Sequence, residues 1–380
     1  MASSSERIHS GIWRFAGFSA LIAAALLVAG CSKPEPIRIG FVAGISGRVA
    51  DLGIGGRNAA ILAVERRNAA GGIQGRPVEL LIRDDQQNPE IAKKVTQELI
   101  DAKVEAIVGP MTSSMTAVTL PLANQAKVLM ISPTTTSKDF SDQDDYFFRV
   151  ISSTRDYSTR SALYHRHQLK LGRVAVVYDL RNRSYCESWL SDYRNTFEQQ
   201  GGRITRVLTF ESGANTSIRD RTRQLLNERP DGVLLIANAV DAALFAQQIR
   251  LQSPATVITG VEWSGTEQLI ELGGQAVEGM FLAQFVDRSS QAPAYLAFRE
   301  EYLKRFGSEP GFAGTTAYDA TSVILEALEK RKPGQSLKET ILATGKFSGL
   351  QAELRFDANG EAAHSHYITT IRNGRFVKVE

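Results

Sequence analysis

Short runs of β-branched and apolar residues alternate along most of the chain with longer stretches whose apolar positions recur every three or four residues. The first kind predicts strands over 37–42, 78–83, 105–108 and 128–131. The second predicts helices over 57–70, 89–101 and 116–125, the first of them closed by Gly71-Gly72. The alternation restarts at Asp156. It then predicts helices over 156–169, 185–200, 218–227 and 241–251, and strands over 173–178, 203–210, 232–236 and 256–259. Such repetition specifies parallel sheets with helices on both faces, and two successive runs specify two doubly wound α/β lobes. The last hundred residues predict a strand over 280–286, helices over 293–306, 316–330 and 337–343, and a strand over 352–356. A hairpin of 367–372 and 376–379, turned at Asn373-Gly374, follows. This tail is too small for a third core but suits elements that cross back to complete both sheets. Several crossovers make a hinge, and hinged lobes meeting at strand carboxyl ends make a cleft.

A length of 380 residues fits two domains plus extra segments. The first 31 residues break the pattern. Arg7 and Arg14 precede an apolar run over 15–29, interrupted by Gly17 and Ser19, in the order of a secretory signal. The run ends in Leu27-Val28-Ala29-Gly30-Cys31, which looks like a bacterial lipobox; a diacylglycerol on Cys31 would anchor the chain to a membrane. A single membrane-spanning segment over 12–30 is the competing reading. The expected organisation is a signal peptide over 1–30 and a tether over 31–36. Lobe 1 is expected to comprise 37–155 and 286–361, and lobe 2 to comprise 156–285 and 362–380. With Cys31 acylated, Cys186 has no partner and no internal disulfide forms.

The net charge of +3 is spread along the chain, with no basic stripe carrying interleaved aromatics, which argues against a nucleic-acid partner. Phosphate-loop, zinc-protease and nucleophile-elbow motifs are missing, so neither an enzyme nor a cofactor is expected. The glycines at 44, 47, 53, 55 and 56 do not give a dinucleotide fingerprint and are expected to turn the backbone tightly into the first helix. His165 and His167 fall on a predicted helix, where they point about 200° apart and cannot share a metal. They and the second pair, His364 and His366, are expected at the solvent-exposed surface, with no metal bound. Asp84-Asp85 and Asp144-Asp145 are expected to serve structural roles. Two loops are more informative. Gly109-Pro110-Met111-Thr112-Ser113-Ser114 follows one strand and opens a helix, and Ser132-Pro133-Thr134-Thr135-Thr136 follows the next. A helix amino terminus bearing Ser113 and Ser114 is a ready carboxylate site, while the carbonyls and hydroxyls of the threonine loop suit an ammonium.

These loops resemble those of the leucine/isoleucine/valine-binding protein family, the type I solute receptors of branched-chain amino-acid ABC transporters. The resemblance runs from about 37 to 379. It rests on Ile37-Arg38-Ile39-Gly40, Ala70-Gly71-Gly72-Ile73-Gln74-Gly75, Asp84-Asp85…Asn88-Pro89 and Val108-Gly109-Pro110. Met130-Ile131-Ser132-Pro133, Val277-Glu278-Gly279-Met280 and Ala317-Tyr318-Asp319-Ala320 add to it. It implies two Rossmann-like lobes joined by a three-crossover hinge, a small amino-acid-like ligand, a permease partner and a lipid-anchored place in the periplasm or cell envelope. It further implies that Ser113 and Ser114 hold the ligand carboxylate. The Thr134 carbonyl and the Thr136 hydroxyl would hold the ammonium, Glu262 would face it from the second lobe, and Tyr185 falls where the family has an aromatic on that lobe. Two aromatic positions of the family differ: Leu52 fills one, and Asn238-Ala239 lacks the other. A buried Glu262 beside a plain carboxylate would be costly, which favours an amino acid. A ligand-sensing receptor component binding an amide or a small organic or aromatic acid is the alternative.

Overall fold

The computed structural model describes residues 34–213, 217–363 and 365–380. The signal segment, Cys31, the start of the tether and His364 lie outside the described residues. The first lobe begins with β1 (Ile37–Ala43), α1 (Ala50–Ala69), β2 (Val78–Asp84), α2 (Pro89–Asp101) and β3 (Ala106–Val108). It continues with α3 (Ser113–Ala126), β4 (Leu129–Ser132) and β5 (Phe147–Arg149). These strands form a parallel sheet in the order β2-β1-β3-β4-β5. The chain then crosses into α4 (Thr154–His167), β6 (Arg173–Asp179), α5 (Arg183–Gln199), β7 (Arg203–Phe210) and α6 (Ile218–Leu226). After these come β8 (Gly232–Ile236), α7 (Ala239–Gln252), β9 (Val257–Gly260), α8 (Glu267–Gly273) and β10 (Phe281–Gln284).

Past β10 the chain returns to the first lobe. There α9 (Pro293–Phe306) and α10 (Gly311–Lys330) pack on α1, followed by α11 (Leu337–Thr344) and the small pair β11 (Lys346–Ser348) and β12 (Glu353–Arg355). A third crossing delivers the hairpin β13 (Tyr367–Arg372) and β14 (Arg375–Lys378) to the second sheet. That sheet runs β14-β13-β10-β9-β8-β6-β7, parallel except for the hairpin. The hairpin turns on Asn373 and Gly374, both at positive φ, as a two-residue turn between twisted strands requires.

Local chemistry fixes the element ends. Asn88 caps α2 by accepting from the N–H groups of Glu90 and Ile91, with Pro89 in the first turn. Ser336 and Glu339 cap α11 reciprocally. Both sheets are covered on two faces, so their strands read as continuous apolar runs. In β6, Val174 and Val176 pack on the side of Trp189, Tyr193 and Phe197, whereas Ala175 and Val177 face Phe245 and Ile249. The three rings on α5 stack in series, with both neighbouring centroid pairs 5.3 Å apart.

Three expectations change. The short elements β5, β11 and α8 lack enough residues to show a period and are not among the elements the sequence predicts. Gly53, Gly55 and Gly56 lie inside α1 instead of forming its approach. Their role is close packing: a Cβ on Gly53 would stand 2.1 Å from the carbonyl oxygen of Gly44, and one on Gly56 would stand 2.8 Å from Met111 Cε. His165 is buried rather than exposed. Its Nδ1 lies 3.0 Å from the Tyr193 hydroxyl, and burial pushes its pKa down to about 3, so it is a neutral core residue. His366 is half-buried, edge-on to Tyr157. Gly53→Ala is therefore expected to cost about 2–4 kcal/mol in urea unfolding, as an overpacked site does. Gly55→Ala, whose nearest neighbour would be 3.5 Å away, should be neutral or stabilise by up to about 1 kcal/mol.

Candidate ligand-binding site

The carboxyl ends of β3 and β4 open toward the second lobe, and the two hydroxyl-rich loops are bonded to each other there. The Ser132 hydroxyl donates to the Pro110 carbonyl at 2.6 Å and accepts from the Thr135 N–H at 3.0 Å. The Thr134 hydroxyl donates to the Met111 carbonyl at 2.6 Å, and Ser113 Oγ accepts from the Ser137 N–H at 3.2 Å. The Thr136 carbonyl is held by the N–H of Thr154, at the start of α4, at 2.7 Å. With its backbone fixed, Thr136 turns its side chain into a narrow pocket between the lobes. The polar wall comprises Thr112, Ser113, Thr134 and Thr136 from the first lobe, and Asn182, Tyr185 and Glu262 from the second. Leu52, Met111, Phe285 and Phe312, with Trp263, make the apolar wall.

Three atoms on the polar wall are buried without a hydrogen-bond partner: Thr136 Oγ1, Tyr185 OH and Glu262 Oε1. The other Glu262 oxygen accepts from Trp189 Nε1 at 3.1 Å. Burial pushes the Glu262 carboxyl up to about 7, a rise eased by its own backbone, by the nearby Tyr185 hydroxyl and by Trp189. Burial also holds Tyr185 well above the usual phenol range, with the Glu262 charge second, so this hydroxyl stays protonated. Glu262 is the one ionisable carboxylate on the wall, and no cation lines it. Such a cavity suits a molecule with a donor-rich cationic end, a group that accepts hydrogen bonds and a compact apolar body.

A family model described as periplasmic binding protein matches residues 36–375. The chain belongs to the periplasmic binding protein family. Among its relatives is a leucine-, isoleucine-, valine-, threonine- and alanine-binding protein of Pseudomonas aeruginosa, 26% identical over 349 residues, covering 89% of this chain and 91% of the relative. A leucine-binding protein from Thermotoga maritima superposes with a TM-score of 0.83 at 24% identity, over 90% of this chain and 98% of that one. An ABC-transporter solute-binding protein from Rhodopseudomonas palustris, in complex with 3,4-dihydroxybenzoic acid, superposes at 0.79 with 21% identity, over 91% and 97%. The resemblance to the leucine/isoleucine/valine-binding proteins and the two-lobed type I fold are thereby borne out. No described helix of this periplasmic binding protein is long and apolar enough to cross a membrane.

Of the residues singled out from sequence, Ser113, Thr134, Thr136, Tyr185 and Glu262 meet at this cavity, and Ser114 does not. One position further along α3, Ser114 faces the second lobe itself. Its N–H donates to Asn182 Oδ1 at 3.1 Å and its Oγ accepts from the Ser184 N–H at 3.3 Å. The sequence reading missed the apolar wall except for Leu52. Phe285 carried a usable signal, because it follows the last residue of a parallel strand, and Trp263 adjoins Glu262. Phe312 carried none, since it arrives on a helix that returns after the second crossing.

The Glu262 environment sets a pH dependence for the ligand-free protein. Its folded pKa of about 7 exceeds the ordinary 4.5, so between those values the folded state keeps a proton that the unfolded chain has released. Stability should therefore fall as pH rises through this window, by on the order of 3 kcal/mol, with the loss complete a little above pH 7. Asp319, also raised to about 7, and Asp85 and Asp179, raised to about 6, add falls of the same sign, so Glu262→Gln should lose less stability than the wild type in urea unfolding across this window and be the more stable of the two at pH 8. Parallel curves for the two proteins would show that the carboxylate is not held unpaired.

Proposed function

We propose that this protein captures an aliphatic α-amino acid, branched-chain or closely related, between its lobes and presents it to an ABC-transporter permease from a lipid anchor at Cys31. The observation that carries this reading is the set of unpaired buried atoms. Thr136 Oγ1 and Glu262 Oε1 supply acceptors from opposite lobes, as an ammonium needs, beside the start of α3, where the Ser113 hydroxyl lines the cavity as a donor for a carboxylate. Leu52, Met111, Phe285 and Phe312 then surround the side chain. The open form exposes the first-lobe loops to the ligand, and closure brings Glu262 and Tyr185 down on its head group. Tighter binding in the closed state shifts the equilibrium toward it. The relative from Pseudomonas aeruginosa, named for five aliphatic or small amino acids, supports this ligand class, and the lipobox-like segment supports the anchor.

A second reading, a small organic or aromatic acid bound for uptake or sensing, is favoured by one observation. A carboxyl pushed up to about 7 is half protonated near neutrality and can donate to a ligand carboxylate. The Rhodopseudomonas palustris protein is solved with such an acid. The two readings predict opposite pH slopes. An ammonium ligand pairs with ionised Glu262 and should bind more tightly from pH 5.5 to 8, whereas a carboxylate ligand needs the protonated form and should bind more weakly. Calorimetric titration with leucine, isoleucine, valine, threonine, alanine and benzoate across this range separates them. For leucine, Thr136→Val or Glu262→Gln should weaken binding at pH 8 by about tenfold or more, since the first removes an acceptor for the buried ammonium and the second removes the charge opposite it. Tight benzoate binding that weakens with pH, with no amino acid bound, would overturn the amino-acid reading. Cys31→Ala should move the protein from the membrane fraction to the soluble fraction of cells.

A further inference from the structure

The first turn of α1 does two things at once. Leu52 forms part of the cavity wall, while Arg48 and Asp51, four residues and one residue earlier, reach across to the second lobe. Arg48 NH1 donates to Asp241 Oδ1 at 2.8 Å, and Asp51 Oδ2 accepts from the Thr266 hydroxyl at 2.6 Å. Thr266 in turn lies four residues after Glu262, on the segment that carries Glu262 and Trp263 to the cavity. The Asp51–Thr266 bond thus joins two segments that line the cavity, and Arg48 lies just ahead of Leu52 on the first of them. Neither Arg48 nor Asp241 lines the cavity.

Asp241 is prepared for this contact. It is buried near the amino end of α7, where Asn238 already caps the helix by accepting from the Asp241 N–H at 3.0 Å. Asp241 Oδ2 receives the Asn238 amide at 2.6 Å and the Ser212 hydroxyl. Those bonds lie within the second lobe and do not depend on closure. Oδ1 takes its bond from Arg48, which stands outside the lobe on an exposed turn. Opening the lobes exchanges the Arg48 bond on Oδ1 for water, so the pair contributes the modest difference between the two.

We propose that Arg48 and Asp241, supported by Asp51 and Thr266, form a polar latch that stabilises the closed lobes and sets how long the ligand stays bound. These are positioning residues: they touch no ligand and act by holding Leu52 on one side and Glu262 on the other. Contacts made only in the closed state enter the overall affinity, because they change the population of the form that encloses the ligand. They act mainly on release, since the open form that receives the ligand lacks them. This rests on the cavity being the ligand site.

The test measures leucine release from the full-length protein by stopped-flow competition, in the wild type, Arg48→Gln, Asp241→Asn and the double variant. Arg48 is exposed, so Arg48→Gln should leave the ligand-free unfolding midpoint unchanged. It should speed release about fivefold, change the association rate less than twofold and remove the acceleration of release by salt that the latch predicts for the wild type. The double variant should release no faster than Arg48→Gln alone. Release within twofold of the wild type in Arg48→Gln would overturn the latch, even if Asp241→Asn fails to fold. Spin labels placed across the cleft give a ligand-free readout, in which Arg48→Gln should lower the closed fraction. If the wild type retains none of the amino acids of the panel, the amino-acid reading fails. The latch is then judged on this closed fraction alone, and an unchanged fraction would sink it.

Discussion

A carboxylate buried between two lobes with one oxygen unpaired is a costly group, and the architecture around Glu262 is organised about that cost. The protein holds this side chain with the Trp189 indole N–H, its own backbone and the nearby Tyr185 hydroxyl, and buries it so that its proton affinity rises. Replacement by an apolar side chain would relieve the cost; retention makes sense where a complementary charge arrives from outside. The Thr136 hydroxyl, unpaired and buried on the opposing loop, completes the demand for a donor-rich ligand end. Selectivity follows from the same physics. A molecule lacking those donors leaves the buried acceptors unmet, and that omission is worth far more than a mismatched methyl group.

Satisfying the two lobes together requires that they be separate bodies free to move. The fold provides this through three crossings: after β5, after β10 and before β13. The threonine loop is tied back to these crossings. Thr136 bonds Thr154 in the first, and the buried guanidinium of Arg149, at the end of β5, joins the Ser137 carbonyl at 3.0 Å to Glu361 in the third. Movement is confined to the connections, as in hinged closure. Closure is scored by polar contacts between lobes: Ser114 with Asn182 and Ser184, Arg48 with Asp241, and Asp51 with Thr266.

This division of labour explains which site residues a single sequence could show. Ser113, Thr134 and Thr136 were legible because strand–loop–helix junctions follow from local periodicity, and hydroxyl clusters at such junctions have few other uses. Tyr185 and Glu262 came from resemblance, since nothing in their neighbours' spacing marks them. Ser114 looked equivalent to Ser113 in sequence, but a helix turns about 100° per residue and sends the next hydroxyl to another surface. His165 looked like a polar surface residue until α5 supplied Tyr193 across from it.

The chain by itself determined the alternation of strands and helices, the doubling into two α/β lobes and the hairpin at the end, because periods of two and 3.6 and turn residues are properties of neighbouring positions. It also determined that hydroxyls would gather at the ends of β3 and β4. Only the tertiary structure decided the rest. The apolar wall joins Leu52, Phe285 and Phe312 from three distant stretches, the glycines of α1 answer to Gly44 and Met111, and the Arg48–Asp241 contact spans 193 residues of sequence. Burial, and with it the cost of a charge or the room for a methyl group, depends on which surface arrives from far along the chain. No local pattern encodes that.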